Sequence, residues 1–248
     1  AEEWKLINRE VRAQRAFAKV SSLCCPIPFA FMKPSRKKNF LRCVCLIEKG
    51  FDRSLNTCLL PPLELHYAFI KIAKAIQTAH FNGFIFSDLK EDNVLYSKNG
   101  ELAITDLGGG FYEGSAPSSI HTYSYTSPEA FLGSYGKKHD IFSFFILIYR
   151  KSIRYDSPEQ RVDLKRKTLK PEAFVRLYVQ EILKFRKTIP LACPYRSLLL
   201  DMSRPNPACR PAIDSILKRL NQLTPIIRTI QTRTDQASRP HLQAIQKR

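Results

Sequence analysis

The pattern of apolar and polar positions predicts a chain in which helices alternate with short strands. Apolar residues recur at helical spacing between charged ones over residues 2–19, which predicts an amphipathic helix, and Pro26 and Pro28 end this region. The runs FAFM and FLRCVCLIE follow, separated by the polar segment KPSRKKN. Two apolar runs on either side of a polar turn predict a β-hairpin.

The middle of the chain predicts a long helix followed by a second hairpin. The segment LELHYAFIKIAKAIQTAHFNG keeps helical periodicity up to Asn82 and Gly83, a pair that favours a helix C-terminus. NVLYS and ELAIT then predict two short strands. The Asn99–Gly100 dipeptide between them is typical of tight hairpin turns.

After this hairpin the composition changes and then returns to helical patterns. Residues 108–127 are rich in Gly, Ser, Thr, Tyr and Pro, which predicts a long exposed loop. KHDIFSFFILIYR is apolar nearly all round and predicts a buried helix. Further helical patterns continue to about Leu223, whereas residues 224–248 lack a strong apolar stripe, which predicts a frayed or disordered tail. The basic side chains of this tail are Arg228, Arg233, Arg239, Lys247 and Arg248.

Composition adds a strong positive charge to this picture. The chain has 248 residues, 44% of them hydrophobic, which is enough to bury a core as one large domain or two lobes. Its 40 Lys and Arg exceed its 22 Asp and Glu, for a formal net charge of +18. Such an excess favours an anionic partner: nucleic acid, a membrane surface, a phosphorylated ligand or an acidic protein. A solvated basic surface explains the same charge, so the partner stays open.

The seven cysteines predict an intracellular protein with reduced thiols in its core. They are odd in number and lie mostly in apolar runs, and the pairs Cys24–Cys25 and Cys43–Cys45 lack the CxxC spacing of zinc or redox sites. No run reaches the ~18–20 apolar residues of a membrane span, and no secretory signal opens the chain. A cytoplasmic location is predicted, and export by a route independent of a signal peptide is also compatible with these patterns.

Oxygen-bearing side chains cluster around the second predicted hairpin. Asp88 precedes its first strand, Asn93 follows shortly after, and Asp106 comes directly after its second strand. Carboxylate and amide oxygens are ligands that Mg²⁺ prefers, and phosphoryl transfer depends on positioned groups and cations more than on covalent chemistry. Taken singly, Asp88 is better explained as a helix or turn cap and Asn93 as a turn residue.

The joint spacing of these residues resembles that of the protein kinases. FSDLKEDNVL and the later ITDLGG are similar to the catalytic loop and metal-binding motif of that family, HRDLKxxN and DFG. TYSYTSPEA resembles the end of a kinase activation segment, and HDIFSF, which contains Asp140, resembles the DxWS helix of the large lobe. CRPAIDSIL resembles the late Arg-Pro helix, in which Arg210 would pair with Glu129. This order of motifs implies an α+β, protein-kinase-like fold, mostly the helical C-lobe with a truncated N-lobe.

The resemblance implies a role for each polar residue of the catalytic motifs. Asp88 would accept the proton of the substrate hydroxyl or orient that hydroxyl, and Lys90 would neutralise charge on the migrating phosphoryl group. Asn93 and Asp106 would bind Mg²⁺. Leu95, in the strand after Asn93, would contact the bound nucleotide.

The same resemblance extends upstream of the catalytic motifs. LIEKG is similar to the hinge between the two lobes, with Ile47 as the gatekeeper and Glu48 to Gly50 offering backbone groups to adenine. The first helix resembles the kinase αC helix. Glu10 would be its acid that grips the lysine of a small-lobe strand, and two other acids of the same helix compete for that role.

The implied organisation has three parts. Residues 1–47 form a partial N-lobe with the αC helix and two strands, residues 48–223 form the hinge and helical C-lobe, and residues 224–248 form a basic C-terminal tail. The family's GxGxxG loop and VAIK-type lysine belong before the αC helix, and Lys5 lies on the wrong element to replace that lysine. A fragment without its first strands is therefore expected, and a protein that has none of them is the alternative.

The catalytic motifs depart from the family pattern around Asp88 and Asp106. Phe86 and Ser87 stand where the family has His and Arg. Phe86 can fill the packing role of the His, but Ser87 cannot meet a phosphate on the activation loop as the Arg does. Control by something other than loop phosphorylation is implied. Leu107 replaces the Phe of DFG and keeps an apolar anchor.

The function implied by the resemblance is that of an ATP- and Mg²⁺-dependent serine/threonine protein kinase acting on protein hydroxyls. Lys90 in DLK and Thr122 ahead of SPE resemble serine/threonine rather than tyrosine kinases. A pseudokinase acting as a binding or scaffolding module is the alternative, although a scaffold has no need of the whole set of site residues. A small-molecule kinase of the same fold fits the SPEA segment less well. An acidic partner on the basic surface is compatible with each of these functions.

Overall fold

The computed structural model describes residues 29–32, 44–47, 51–115, 122–153 and 168–246, with the backbone alone for the first two ranges and for 238–246. The helices in these ranges are α1 Pro62–Phe81, α2 Lys137–Ile153, α3 Pro171–Thr188, α4 Arg196–Met202 and α5 Ile213–Gln246. The strands are β1 Phe29–Met32, β2 Val44–Ile47, β3 Arg53–Ser54, β4 Phe84–Ile85, β5 Val94–Tyr96, β6 Leu102–Ile104 and β7 Phe111–Tyr112. The predicted helix over 2–19 lies outside the described residues.

The strands form short antiparallel sheets that match the two predicted hairpins. β1 pairs with β2, with Phe29 opposite Ile47. β5 pairs with β6, with Val94 opposite Ile104, and β3 joins the other edge of β5. Gly100 closes the second hairpin at φ +74°, a conformation that glycine adopts without steric cost. The hairpin predicted from Asn99–Gly100 is confirmed.

Helices α1 and α2 carry most of the apolar core beneath these strands. α1 begins with Pro62 at its first turn, where the missing N–H costs no hydrogen bond, and ends before Asn82 and Gly83 as predicted. α2 is buried over nearly its whole length, so the predicted buried helix is confirmed. Phe142, at 0% exposure, is among its core residues, and burying such a side chain contributes about 1.5–3 kcal/mol.

The prediction of a frayed tail is wrong, because α5 continues through residues 224–246 without a break. The helix lies against α1. Ile227 is buried in the common core, Thr224 Oγ1 is 3.0 Å from His66 Nε2, and the Leu63 backbone N–H donates to Gln231 Oε1. Few apolar residues are needed for this packing, since α1 already supplies a hydrophobic face. A weak apolar stripe in the sequence therefore did not indicate that this segment packs as a helix.

The loop predicted to be exposed over residues 108–127 is exposed at residues 112–115 and Tyr123 but buried at both of its ends. Gly108 to Gly110 and Phe111 are buried on one side, and Thr126 and Ser127 on the other. A Cβ at Gly110 would overlap the ring of Phe84, so the glycine permits a close approach of backbone to core. The need for glycine at position 110 thus reflects tight packing, whereas Gly114 in the same loop is exposed.

The thiols in the described part of the chain are free, but they do not all lie in the core. Cys58 is buried, Cys193 is half-buried and Cys209 is exposed. The prediction of core cysteines is correct for Cys58 and wrong for Cys209. Cys209 is the last residue of a short 3-10 turn, Pro207–Cys209, that precedes α5. Among the described helices, none has the length and apolar character needed to cross a membrane.

Candidate active site

The backbone of the predicted catalytic loop is hydrogen-bonded to a buried carboxylate on α2. Asp140 Oδ2 accepts a hydrogen bond from the Phe86 backbone N–H at 3.0 Å, and its Oδ1 accepts one from the Ser87 N–H, also at 3.0 Å. His80 Nε2 lies 2.9 Å from the same carboxylate. A fully buried carboxylate is stable only with such partners, so Asp140 and the loop backbone hold each other in place.

Two residues beside the predicted catalytic groups have left-handed backbone conformations. Ser87 has φ +64° and Asp106 has φ +56°, and within the described residues no other non-glycine residue has a positive φ. Such conformations cost on the order of 1–3 kcal/mol each and persist only where surrounding contacts impose them. Strain at Ser87 and Asp106 agrees with the prediction of a functional site in this region.

Asp88 lies at the centre of a hydrogen-bonded group. Its Oδ2 accepts from Lys90 Nζ at 2.7 Å, and its Oδ1 accepts from the Thr122 backbone N–H at 2.6 Å. Asn93 Nδ2 donates to the Asp88 backbone oxygen at 3.0 Å. Lys90 also donates to Thr122 Oγ1 at 2.8 Å. The structure thus brings together Asp88, Lys90 and Asn93, which the sequence placed on one loop, and adds Thr122 from the far end of the following segment.

The β5–β6 hairpin brings the two candidate metal ligands to one end of the sheet. The Thr105 N–H donates to the Asn93 backbone oxygen at 2.9 Å, so Asp106, the next residue, follows directly from the strand opposite Asn93. Because Asn93 Nδ2 is bonded to the loop backbone, its Oδ1 is the amide atom that can bind a cation. One amide oxygen and one carboxylate suit Mg²⁺ bound together with a nucleotide, since this ion takes few protein ligands plus phosphates.

Within the described ranges, no group of three or more His, Cys, Asp or Glu side chains could hold a metal ion. The assignment of Mg²⁺ to the oxygen pair of Asn93 and Asp106 stays a prediction. The pair has the hard-ligand chemistry that the ion requires.

A buried ion pair anchors the segment that follows the site. Arg210 Nη1 lies 2.6 Å from Glu129 Oε1 and Arg210 Nη2 lies 2.8 Å from Glu129 Oε2, a bidentate arrangement. The guanidinium also donates to the backbone oxygens of Arg204 and Lys138, and it lies over the Phe142 ring at 4.9 Å. The predicted contact between Glu129 and Arg210 is confirmed.

The comparison with known proteins agrees with this geometry. A model of the protein kinase domain matches residues 29–220. This chain belongs to the protein kinase family. The predicted fold class is confirmed, since the kinase chain is mostly helical with a few short strands.

Named relatives of this kinase chain are serine/threonine or dual-specificity kinases. A probable serine/threonine-protein kinase of Dictyostelium discoideum is 28% identical over 186 residues, covering 71% of this chain and 24% of the relative. The dual serine/threonine and tyrosine protein kinase of Gallus gallus is 34% identical over 110 residues, 43% of this chain and 12% of the relative. The kinase chain thus spans a quarter or less of the length of these relatives.

Several nucleotide-site residues expected in this kinase chain are not described by the structure. Glu10, Glu48 and Gly50 lie outside the described residues, and Ile47 is described only as the last backbone position of β2. Leu95 is half-buried in β5, where it lies opposite Ser54 and Ala103. The assignment of these residues to ATP stays a prediction.

One buried acid of the kinase catalytic loop escaped the motif comparison. Glu91 is 2% exposed, and burial raises its pKa to about 7, although the nearby Arg150 guanidinium acts in the opposite direction. Glu91 Oε1 lies 3.5 Å from Arg150 Nε, and the Arg150 guanidinium lies over the Tyr125 ring at 5.4 Å. The side chain thus ties the loop to α2 through Arg150. Nothing in the local sequence distinguishes it from the exposed Asp92 beside it.

Proposed function

We propose that the protein carrying this chain is an ATP- and Mg²⁺-dependent serine/threonine protein kinase. The observation that supports this proposal most directly is a hydrogen-bonded group. In it, Asp88 is held by Lys90 and by the Thr122 N–H, and Asn93 is bonded to the same loop. A pseudokinase used only as a scaffold has no need of this arrangement. The contact between Lys90 and Thr122 supports a serine/threonine acceptor, because it joins two residues that resemble those of serine/threonine kinases.

The residues divide the work of phosphoryl transfer in the following way. Asp88 accepts a hydrogen bond from the incoming hydroxyl and orients its oxygen toward the γ-phosphorus, then takes up the hydroxyl proton. Lys90, whose Nζ already contacts Asp88, carries the positive charge that balances the migrating phosphoryl group. Asn93 and Asp106 would hold Mg²⁺, which neutralises the charge of the nucleotide phosphates when bound.

The basic outer face of α5 extends the proposal to partners. Lys218, Arg228 and Arg233 are exposed on this helix, and the whole chain carries a formal net charge of +18. Exposed cations attract acidic proteins and speed their association. We therefore include an acidic protein partner in the proposal, alongside the protein substrate and ATP.

The decisive experiment replaces Asp88 by asparagine in the full-length protein and measures phosphate transfer to protein or peptide hydroxyls. The amide keeps the shape of the side chain but cannot accept the proton, so we expect kcat to fall by about 100-fold to 10,000-fold. Asp92→Asn is the matched control, because Asp92 is an exposed acid of the same loop whose Oδ1 accepts a hydrogen bond from Asn56 Nδ2 at 2.8 Å.

Three results would argue against this proposal. Equal loss of activity in Asp88→Asn and Asp92→Asn would point to a general disturbance of the loop. Unchanged transfer in Asp88→Asn would remove its proposed role. Nucleotide binding without any transfer by the wild-type protein would favour the pseudokinase. Peptides offering only tyrosine as acceptor distinguish a dual-specificity enzyme from a serine/threonine kinase.

The activity of this kinase is expected to be independent of phosphorylation between residues 108 and 127. Ser87 has no cation to offer a phosphate, and the only charged residue of that segment is Glu113, which pairs with Lys137. A phosphate on Thr122 would lie beside the Asp88 carboxylate, which already accepts the Thr122 N–H, and it would compete with that carboxylate for Lys90, which donates to both residues. Charge-assisted hydrogen bonds from a phosphate in this segment would therefore order the segment weakly or be opposed by the Asp88 charge.

Phosphatase treatment of the purified kinase tests this expectation and should leave its rate nearly unchanged. Mass spectrometry before and after treatment verifies that phosphate was removed. A rate lower by about tenfold, equal to about 1.4 kcal/mol of barrier, and traced to a site in this segment would contradict it.

A further inference from the structure

A buried histidine to which the family resemblance assigned no role lies directly beneath the catalytic loop. His139 precedes Asp140 on α2 and is 1% exposed. Its Nε2 lies 3.0 Å from the Ser87 backbone oxygen, and its Nδ1 lies 2.9 Å from Ser127 Oγ. The Ser127 backbone N–H also points to Nδ1 at 3.4 Å. One imidazole thus bridges the residue before Asp88 and the residue before Pro128.

The partners of His139 determine which nitrogen carries the proton. A backbone carbonyl oxygen only accepts hydrogen bonds, so Nε2 must donate to Ser87. Nδ1 faces the N–H and the hydroxyl of Ser127, both of which can donate, so it acts as the acceptor. The neutral ring with hydrogen on Nε2 satisfies all of these groups. His139 therefore links two segments through specific hydrogen bonds and does more than fill space in the core.

His139 and Asp140 together hold the strained residue of the catalytic loop. Ser87, at φ +64°, donates its N–H to Asp140 Oδ1 and accepts from His139 Nε2 through its carbonyl oxygen. The Ser87 hydroxyl is buried and has no hydrogen-bond partner among the described residues. The left-handed conformation is thus imposed on the backbone by two consecutive residues of α2 and not by the serine side chain. Because Asp88 follows Ser87 immediately, the direction of the Asp88 side chain depends on these two hydrogen bonds to the Ser87 backbone.

The other end of the bridge is fixed as firmly as the first. Ser127 is 0% exposed. The carbonyl oxygen of the preceding Thr126 accepts from Tyr178 Oη at 3.2 Å, and Glu129 is held by Arg210. A change in the path of the segment around Ser127 would therefore move Nδ1 of His139 and, through the rigid ring, the Ser87 carbonyl.

We propose that His139 is a positioning residue that couples Ser127 to Ser87 and so keeps Asp88 in its working direction. The inference rests on the proposed kinase function and concerns how that site is regulated. Family members with Arg before the catalytic Asp use a loop phosphate for such a link, whereas this chain has Ser87 at that position. The imidazole supplies a connection between the same two segments that needs no phosphate.

Kinetics of His139→Ala and His139→Gln in the full-length protein test the proposal. We expect His139→Ala to lower kcat by about tenfold to 100-fold through misplacement of Asp88, with KM for ATP unchanged because no nucleotide contact is removed. Gln offers an amide N–H near the position of Nε2, so His139→Gln should recover part of kcat. This rescue distinguishes the bond to Ser87 from a volume effect.

His66→Ala is the matched control. His66 is also fully buried and also bridges two side chains, Tyr195 and Thr224, each at 3.0 Å, but it lies on α1 away from the catalytic loop. It should lower the melting temperature while kcat per folded molecule stays at the wild-type value. If His139→Ala behaves in the same way as His66→Ala, or if its kcat is that of the wild type, the inference is overturned. Should His139→Ala fold poorly, the same comparison is made with His139→Gln and His139→Asn, of which only the first should retain kcat.

Hydrogen exchange separates this inference from the proposed function. Amides of residues 86–90 and 126–130 should exchange about tenfold faster in His139→Ala than in the wild type, because local opening of both segments becomes easier. His66→Ala should leave them unchanged. Unchanged exchange in His139→Ala would overturn the coupling, whether or not the wild-type protein transfers phosphate. Absence of phosphate transfer by the wild-type protein would count only against the kinase proposal.

Discussion

Replacement of Asp106 by alanine is expected to abolish Mg²⁺-dependent ATP turnover while the fold stays largely intact. Asp106 lies two residues after the end of β6 and directly after Thr105, whose N–H bonds the Asn93 backbone oxygen, so its loss removes the carboxylate of the proposed metal pair. The oxygen left on Asn93 cannot hold Mg²⁺ without it, because the ion needs anionic ligands to offset its dehydration. Turnover of ATP and circular dichroism of the folded protein are the measurements.

A second substitution separates loss of the metal ligand from strain at this position. Asp106 has φ +56°, which alanine adopts poorly and asparagine tolerates well. Asp106→Asn keeps the backbone conformation and the shape of the side chain but removes the charge, so it should also lose turnover. A Mg²⁺-dependent rise in melting temperature with ATP, present in the wild type, should be absent from both variants. Normal turnover in Asp106→Asn would exclude this residue as the metal ligand.

Loss of Arg210 is expected to produce the largest change in stability. Arg210→Ala leaves the mostly buried Glu129 carboxylate without its bidentate partner and also removes donors to the backbone oxygens of Arg204 and Lys138. Breaking a buried pair on one side costs about 3–5 kcal/mol. At about 2–4 °C per kcal/mol for a chain of this size, the melting temperature should fall by several degrees or more.

Arg204→Ala provides the control for this measurement. Arg204 pairs with Asp201 on the surface, and its side chain is 47% exposed, so the melting temperature should change little. Arg210→Lys should be intermediate, because lysine keeps the charge but cannot form both bonds of the guanidinium. A melting temperature for Arg210→Ala equal to that of Arg204→Ala would show that the pair does not stabilise the fold.

Local sequence rules predicted those elements whose signals lie in neighbouring residues. Asn99–Gly100 specified the turn of the β5–β6 hairpin, and Asn82–Gly83 specified the end of α1. The apolar run of α2 specified burial, because a helix that is hydrophobic on every side can only lie in a core. Each of these predictions needs no knowledge of what packs against the element.

The candidate site was predictable in part for a different reason. Asp88, Lys90 and Asn93 lie on one loop, and the hairpin after them necessarily returns Asp106 to the same end of the sheet. The contact between Glu129 and Arg210 joins residues 81 positions apart. It was foreseen only through the resemblance to a known family, since no local pattern indicates it.

Tertiary structure alone decided the features that depend on distant partners. α5 is ordered beyond Leu223 because α1 presents a face on which Ile227 can be buried. Gly110 packs against the Phe84 ring, which leaves no room for a Cβ at this position.

His139 looks like any polar residue at the start of a helix when the sequence is considered alone. Its partners Ser87 and Ser127 lie 52 and 12 positions away, and only the folded chain brings them to opposite sides of one imidazole. A sequence by itself determines the chemistry of each side chain and the conformations that its neighbours allow. Which groups meet is decided by the packing of the whole core, because the energies that select those contacts come from burial and pairing across long stretches of chain.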